Sequence, residues 1–151
     1  MISPQTLAEH IVESTADISE IKRREVLVTD DELVDLLNKH KETQNIMLVA
    51  VLPSYGGFGE EDNSGAISYM QFFLLEKVDY QKFKNRDEYI AVFQRTLTAT
   101  VAFLEAMFNL QIVNCSTEQL QYDYQIRPIS RKAGCNGYEI QIDSKAYTDN
   151  Y

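Results

Sequence analysis

The stretch that decides the fold of this chain is Ile46-Met47-Leu48-Val49-Ala50-Val51-Leu52. It is apolar without alternation, and Pro53 closes it. A short, continuous apolar run that ends at a proline is typical of a strand buried on both faces. We therefore predict a strand over residues 45–53 that is buried on both faces.

A second two-faced strand is predicted over residues 66–78. Its apolar residues fall on both sides: Met70, Phe72 and Leu74 on one, and Ile67, Tyr69, Phe73 and Leu75 on the other. This pattern predicts a strand at the centre of a sheet or at a subunit contact. Because one long helix covers only one face of a sheet, the same pattern leads us to expect a homo-oligomer.

Two short helices are predicted before these strands. Ser3 and Pro4 have the form of an N-cap followed by proline in the first turn, with Leu7 and Ile11 on an apolar face. Thr29 to Glu32 fits a capping box, in which the threonine hydroxyl caps the helix and the glutamate reaches back. The second helix is predicted to end near His40, and a short strand is predicted between the two helices, over residues 25–28.

The longest predicted element is a helix from Asn85 to about Asn109, which a second capping box opens at Asn85 and Glu88. Apolar residues recur along it at steps of three and four, which predicts the stripe that packs on the sheet. The stripe consists of Ile90, Phe93, Leu97, Val101, Leu104 and Phe108.

The last third of the chain predicts an antiparallel hairpin with one solvated face, because apolar and polar residues alternate in two runs. Leu120, Tyr122, Tyr124 and Ile126 alternate with Gln121, Asp123, Gln125 and Arg127; Tyr138, Ile140 and Ile142 alternate with Glu139, Gln141 and Asp143. Residues 130–137 form the predicted turn. The sequence thus predicts one α+β domain over residues 1–151, with a mainly antiparallel sheet, one long helix on a face and two shorter N-terminal helices.

A glycine-rich, acidic stretch separates the two central strands, and we predict a long mobile loop over Ser54–Gly65. Its glycines lead into acidic residues and a strand, whereas a phosphate-binding loop leads into a helix N-terminus. Long loops often carry partner contacts, and a partner would order this one. The candidate partner contacts are Tyr55, Gly56, Gly57, Phe58 and Gly59.

No pattern in the sequence indicates a catalytic, cofactor or metal site. The two histidines, His10 and His40, are expected on the surface, and neither is paired with a cysteine at the close spacing of a zinc site. Cys115 and Cys135 lie at opposite ends of the predicted hairpin, which separates them by about 25 Å, so we expect two free thiols. A further alternative is an enzyme that uses Cys135 as a nucleophile, and a strongly lowered thiol pKa would favour this alternative.

The chain of 151 residues carries a net charge of −9, which repels nucleic acid and anionic membrane surfaces. No run approaches the roughly 18 apolar residues that span a bilayer. The first residues lack the basic and then apolar form of a signal peptide. We therefore expect a cytoplasmic protein, or one assembled in a phage-like particle.

From the second helix onward, the predicted order of elements resembles that of small tail-terminator and neck proteins of tailed phages. The resemblance covers residues 30–145 and includes the strand 45–53, the glycine-rich stretch, the strand 66–78, the helix from Asn85 and the final hairpin. It implies a non-enzymatic, ring-forming assembly protein whose loop contacts a neighbour. The alternative is a small-ligand or peptide-binding domain, in which Tyr122 and Tyr124 line a pocket between helix and sheet.

Overall fold

A computed structural model describes residues 2–60, 63–114 and 120–147 of the chain. The helices and strands follow in the order α1 (Pro4–Thr15), β1 (Arg23–Leu27), α2 (Leu33–Lys39), β2 (Met47–Glu60), β3 (Asn63–Lys77), α3 (Arg86–Asn114), β4 (Leu120–Lys132) and β5 (Cys135–Tyr147). The predicted α+β class is confirmed, with one mostly antiparallel sheet, one long helix and shorter N-terminal helices.

The five strands form one sheet in the order β1-β2-β3-β5-β4. Only β1 and β2 are parallel, and α2 lies on the connection between them. The other three pairs are antiparallel. The strand β3 is central, which is one of the two positions that its two-faced apolar pattern predicted.

Each face of the sheet carries a buried apolar cluster, so the core has two layers. On one face, α1 and α3 pack against a cluster that includes Leu48, Phe72 and Ile140. On the other face, Leu33 and Leu37 of α2 cover Met47, Val49, Val51, Phe73, Leu75 and Cys135. The second apolar face of β3 is therefore buried in part by α2, and this face does not require a second chain to cover it.

The predicted stripe of α3 is wrong in part. Leu104 is buried and Phe93, Leu97 and Phe108 are half-buried, but Ile90 and Val101 are 49% and 43% exposed. The residues that are buried against the sheet include two threonines and an alanine: Val92, Thr96, Ala99, Thr100, Phe103, Leu104 and Met107. The hydroxyls of Thr96 and Thr100 bond to the carbonyls of Val92 and Thr96, one turn earlier. These bonds satisfy the buried hydroxyls, so threonines can lie on the face of α3 that packs against the sheet. A search for apolar residues alone does not find this face.

The segment Arg86–Leu110 of α3 is long and apolar enough to cross a membrane, judged by length and composition alone. The expectation that no such segment exists is therefore corrected. In this structure the helix contacts the sheet through Phe103 and Met107, both completely buried.

Of the predicted helix caps, two are confirmed and one is wrong. Ser3 Oγ accepts from the Thr6 amide at 3.1 Å, and Asn85 Oδ1 accepts from the Glu88 amide at 3.0 Å. The Thr29 side chain caps nothing, because a 3-10 turn at Asp30–Glu32 precedes α2. The carboxylate of Glu32 instead reaches back to the Val28 amide at 3.1 Å.

The predicted loop over Ser54–Gly65 is wrong. β2 continues to Glu60, β3 begins at Asn63, and the two pair from Ser54 with Tyr69 to Glu60 with Asn63. A register shift between Val51 and Ser54, around Pro53, marks where the long hairpin leaves the core. Only Glu61 and Asp62, which join the strands, lie outside the described residues of this hairpin.

The C-terminal hairpin is confirmed, and its turn is tighter than predicted. Only Ala133 and Gly134 separate β4 from β5, with φ angles of 48° and 75°. Two positive φ angles in succession are typical of the type I′ turns that close two-residue hairpins. Lys77 supports this turn, because its Nζ donates to the Ala133 carbonyl at 2.7 Å.

Candidate functional site

The five predicted contact residues, Tyr55, Gly56, Gly57, Phe58 and Gly59, all lie in β2. They belong to the outer part of the first hairpin, which comprises Ser54–Glu60 of β2 and Asn63–Tyr69 of β3. We call this part the arm. Their side chains alternate between the two faces of the sheet, so the structure places them in one strand and not on one face.

Aromatic rings explain why a glycine-rich segment forms a strand here. A β-carbon added to Gly65 would lie 2.5 Å from the ring of Phe58, and one added to Gly56 would lie 3.2 Å from the ring of Tyr69. Each ring therefore covers a glycine on the neighbouring strand and replaces the packing that a side chain would supply. Phe58 also contacts Tyr147 of β5 edge to face, with ring centroids 5.0 Å apart.

The beginning of the chain packs across the other face of the arm. The Tyr55 hydroxyl donates to the Ile2 carbonyl at 2.6 Å, and the Ile2 amide donates to Ser68 Oγ at 3.3 Å. Ser68 is buried, while Tyr55 stays 42% exposed. The arm is thus tied to the segment before α1 by polar contacts on the face that α1 covers.

The outer edge of the arm is open. On the side of β2 that faces away from β3, β1 pairs with β2 only from Met47 to Val51, and no other described strand lies on that side. Within the part of the chain that the structure describes, the outward backbone groups over Ser54–Gly59 therefore have no strand to pair with. Such an edge is a template for another strand, and this one contains no lysine, arginine or proline to oppose pairing.

The other edge of the sheet, β4, is protected. Pro128 lacks the amide that a neighbouring strand would need, and Arg127 places a charge beside it. A register shift between Ile129 and Lys132 interrupts the ladder at the end of the strand. These features are typical of edges that do not accept another strand.

A cavity of about 590 Å³ lies between α3 and one end of the sheet. Its lining residues come from α3, from the segment after α1 and from the ends of β2 and β3: Ser19, Glu20, Lys22, Asn45, Ile46, Glu76, Gln94, Arg95 and Thr98. Glu76 is 8% exposed and forms an ion pair with Arg95 at 3.2 Å. The cavity has the size of a small-molecule site and carries both signs of charge.

The predicted tyrosine pocket is not at this position. Tyr122 and Tyr124 do not line the cavity; their rings contact Phe108 of α3, with centroids 5.1 Å and 5.7 Å away. Tyr122 is half-buried in this contact, and Tyr124 is 56% exposed. The two tyrosines are therefore packing residues at the edge of the core.

The groups considered for chemistry have structural positions. Burial raises the pKa of the Cys135 thiol to about 11, whereas the activated nucleophile of a cysteine enzyme has a lowered thiol pKa. Cys135 is a free thiol, whereas Cys115 lies outside the described residues. The described residues contain no cluster of three or more histidine, cysteine or acidic side chains placed to hold a metal.

The expectation of two surface histidines is wrong, because His10 and His40 are 8% and 2% exposed. The Nε2 atom of His40 lies 2.9 Å from Asn45 Oδ1, and the amide of Asn45 bonds in turn to both backbone groups of Lys77. Burial lowers the pKa of His40, and this outweighs the hydrogen bond with Asn45, which raises it. His40 thus belongs to the network that closes the inner end of the first hairpin.

Comparison of the chain with protein-family models and with curated proteins finds no match. The function is therefore inferred from the geometry of the chain itself. Two features stand out in that geometry: the open edge of the arm and the cavity beside α3.

Proposed function

We propose that this chain is a non-enzymatic assembly domain that binds a second copy of itself by strand addition at the open edge of the arm. The observation that carries the proposal is the unpaired outer side of β2 over Ser54–Gly59. The resemblance in layout implies a tail or neck component of a phage-type particle, and this finer assignment is part of the proposal.

Strand addition is a recurrent mode of protein recognition, in which backbone hydrogen bonds supply affinity and alternate side chains supply specificity. The arm offers both. Its outer edge is six residues long from Ser54 to Gly59, and Tyr55 and Phe58 project from opposite faces of the same strand. A partner strand would therefore gain an aromatic contact on each face of the extended sheet.

The charge pattern favours a twofold, antiparallel arrangement of two arms. Ser54–Gly59 is uncharged, but Glu60, Glu61 and Asp62 follow directly. Parallel pairing would set the acidic residues of both copies side by side, which is unfavourable because like charges repel across a ladder. Antiparallel pairing centred near Gly57 sets them at opposite ends, and a twofold interface of this kind closes on itself as a dimer.

A lysine at Gly57 tests this proposal. Gly57 is exposed, and the atom nearest to an added β-carbon is the Gly65 carbonyl oxygen at 3.7 Å, an ordinary contact. We expect the wild-type chain to be a dimer at tens of micromolar by light scattering. Gly57→Lys is expected to weaken dimerisation at least about tenfold, because a lysine on a strand edge opposes pairing.

The matched control is Gln125→Lys, which adds the same charge to an exposed residue of the protected edge β4. It lowers the net negative charge of the dimer as much as Gly57→Lys does, so general charge repulsion would change equally in both variants. We expect it to leave the dimer intact. A monomeric wild-type chain, or equal effects of the two variants, would contradict self-association through the arm.

The cavity beside α3 supports a second candidate function, binding of a small ligand between helix and sheet. Its volume of about 590 Å³ and its mixture of Glu76, Arg95 and Lys22 suit a small polar molecule. Thermal-shift measurements with free amino acids and sugars test this candidate. Thr98→Trp is a variant that fills the cavity. A ligand that stabilises the wild-type chain but not this variant would favour the ligand-binding function. If the wild-type chain were also monomeric, ligand binding would be the better proposal.

A further inference from the structure

A second cavity, of about 430 Å³, lies at the end of the sheet opposite the tip of the arm. The segment after β3, the first turn of α3 and the end of β4 meet there. Its lining residues are aromatic, polar or cationic: Tyr80, Phe83, Asn85, Arg86, Tyr89, Ser130 and Arg131. We call it the arginine pocket.

A bulge in β4 builds one wall of the arginine pocket. Between the pairs Ile129 with Gly137 and Lys132 with Cys135, β4 has two residues, Ser130 and Arg131, where β5 has only Asn136. Arg131 has a φ angle of 57°, which is unusual for a residue other than glycine. Bulges re-aim side chains and are frequent beside functional sites.

Asn136 holds this bulge in place. It is completely buried, and its Oδ1 accepts a hydrogen bond from the Arg131 amide at 2.9 Å. Its Nδ2 donates to the Tyr80 hydroxyl at 2.9 Å. One buried amide therefore fixes both the backbone of Arg131 and the aromatic ring beneath its side chain.

Each arginine lies over an aromatic ring. The Cζ atom of Arg131 is 4.8 Å from the centroid of Tyr80, and that of Arg86 is 5.0 Å from the centroid of Tyr89. The Tyr89 hydroxyl lies 2.6 Å from Ser130 Oγ, which ties the two walls together. Rings placed in this way orient a guanidinium and reduce the freedom that it loses when a ligand binds.

The two guanidinium groups have no carboxylate partner among the described residues. Arg23, Arg95, Lys82 and Lys145 each form an ion pair, but Arg86 and Arg131 do not. Both are exposed in a chain whose net charge is −9. The charged residues that line the pocket are Arg86 and Arg131.

We propose that the arginine pocket binds an oxyanion, namely a carboxylate or a phosphate group of a ligand. A guanidinium presents paired N–H donors in a plane, which match two oxygens of such a group. The negative charge of the whole chain opposes a long polyanion. The ligand is therefore a small molecule or a short acidic peptide segment.

Titration calorimetry of the full chain with three probes tests the proposal and identifies the source of the oxyanion. The probes are inorganic phosphate, AMP and the acetylated peptide Glu-Glu-Asp. We expect saturable binding of at least one probe with a Kd of about 1 mM or tighter. Tighter binding of AMP than of the peptide indicates a small phosphorylated molecule, and the reverse order indicates an acidic peptide.

Arg131→Gln is expected to weaken binding of the best probe about tenfold or more, and Arg131→Lys by less, because lysine keeps the charge but loses the planar pair of donors. Arg127→Gln is the matched control. Arg127 is exposed on the same strand, lies on the other face and bonds to Gln125, so its loss removes one charge outside the pocket. Binding is expected to be unchanged in this variant.

Two results would overturn the proposal. One is the absence of saturable binding of all three probes up to about 10 mM, well above the expected Kd. The other is equal weakening in Arg131→Gln and Arg127→Gln, which would indicate a diffuse charge effect. Thermal melting of each variant shows whether the fold is intact, and the oligomeric state does not enter the interpretation.

Discussion

The two hairpins of the sheet show two different ways to build a strand pair. The β4–β5 hairpin alternates apolar and polar residues and closes in a two-residue turn. The β2–β3 hairpin includes an arm with four glycines, in which the rings of Phe58 and Tyr69 cover glycines of the opposite strand. The first design is visible as a pattern within each strand, while the second depends on contacts between strands.

The two exposed edges of the sheet, the outer side of the arm and β4, also differ from each other. Pro128, Arg127 and a bulge protect β4, while the outer side of the arm over Ser54–Gly59 contains no proline, arginine or lysine. Natural sheets generally protect their exposed edges, because an open edge recruits other strands. This contrast within one molecule is the basis of the proposed function.

The largest expected effect concerns glycine in the two hairpins. A β-carbon on Gly137 of β5 would overlap the Leu74 carbonyl oxygen of the neighbouring strand, and the φ angle of 156° is itself unfavourable for other residues. We expect Gly137→Ala to lower the free energy of unfolding by about 3 kcal/mol or more, measured by urea denaturation. Gly57→Ala in the arm has space for its methyl group and is expected to cost less than about 1 kcal/mol. Similar costs at both positions would remove this distinction between the hairpins.

A smaller effect is expected when Phe58 is truncated. Phe58→Ala removes the ring over Gly65 and the edge-to-face contact with Tyr147. We expect a loss of about 1–2 kcal/mol, because an aromatic pair contributes up to about 1.5 kcal/mol beyond its burial. Amide hydrogen exchange should accelerate in the arm, at Gly65 and Ala66, and stay slow at Phe72. Unchanged exchange at Gly65 would show that the ring does not stabilise the arm.

The smallest effect is expected at the turn of the C-terminal hairpin. Ala133 has a φ angle of 48°, a conformation that asparagine tolerates better than alanine. Ala133→Asn should therefore stabilise the protein by about 0.5 kcal/mol, observed as a rise in the urea midpoint. Lys132→Asn, in the strand beside the turn, is a suitable control and should give no gain. A decrease in stability on Ala133→Asn would indicate that the turn depends on a different feature.

Strong local patterns made much of the fold predictable. The apolar run before Pro53 and the alternation in β4 and β5 led to the correct strands, and Ser3 and Asn85 correctly marked helix starts. The arm was predicted as a loop because glycines usually break strands, and the rings that compensate are close only after β2 and β3 pair. The packing face of α3 was misjudged because Thr96 and Thr100 satisfy their hydroxyls within the helix.

The candidate sites were predictable only in part. The segment from Tyr55 to Gly59 is recognisable in the sequence as an apolar, glycine-rich segment among polar residues. Its position on an open edge depends on where β1 stops pairing with β2. The arginine pocket had no sequence signal, because Arg86 and Arg131 are 45 residues apart. Only a bulge and a buried asparagine bring Arg131 to the aromatic cluster that follows β3.

The central ladder between β3 and β5 has a consequence for how the chain folds. It pairs residues 58 to 82 positions apart, from Lys77 with Cys135 to Gly65 with Tyr147, whereas the ladders within each hairpin join residues at most 28 apart. Closing these long loops costs chain entropy before any contact is gained, and non-local pairing of this kind slows folding. Each hairpin is therefore a local unit, and we expect their union through Phe72 and Ile140 to be the slow step of folding.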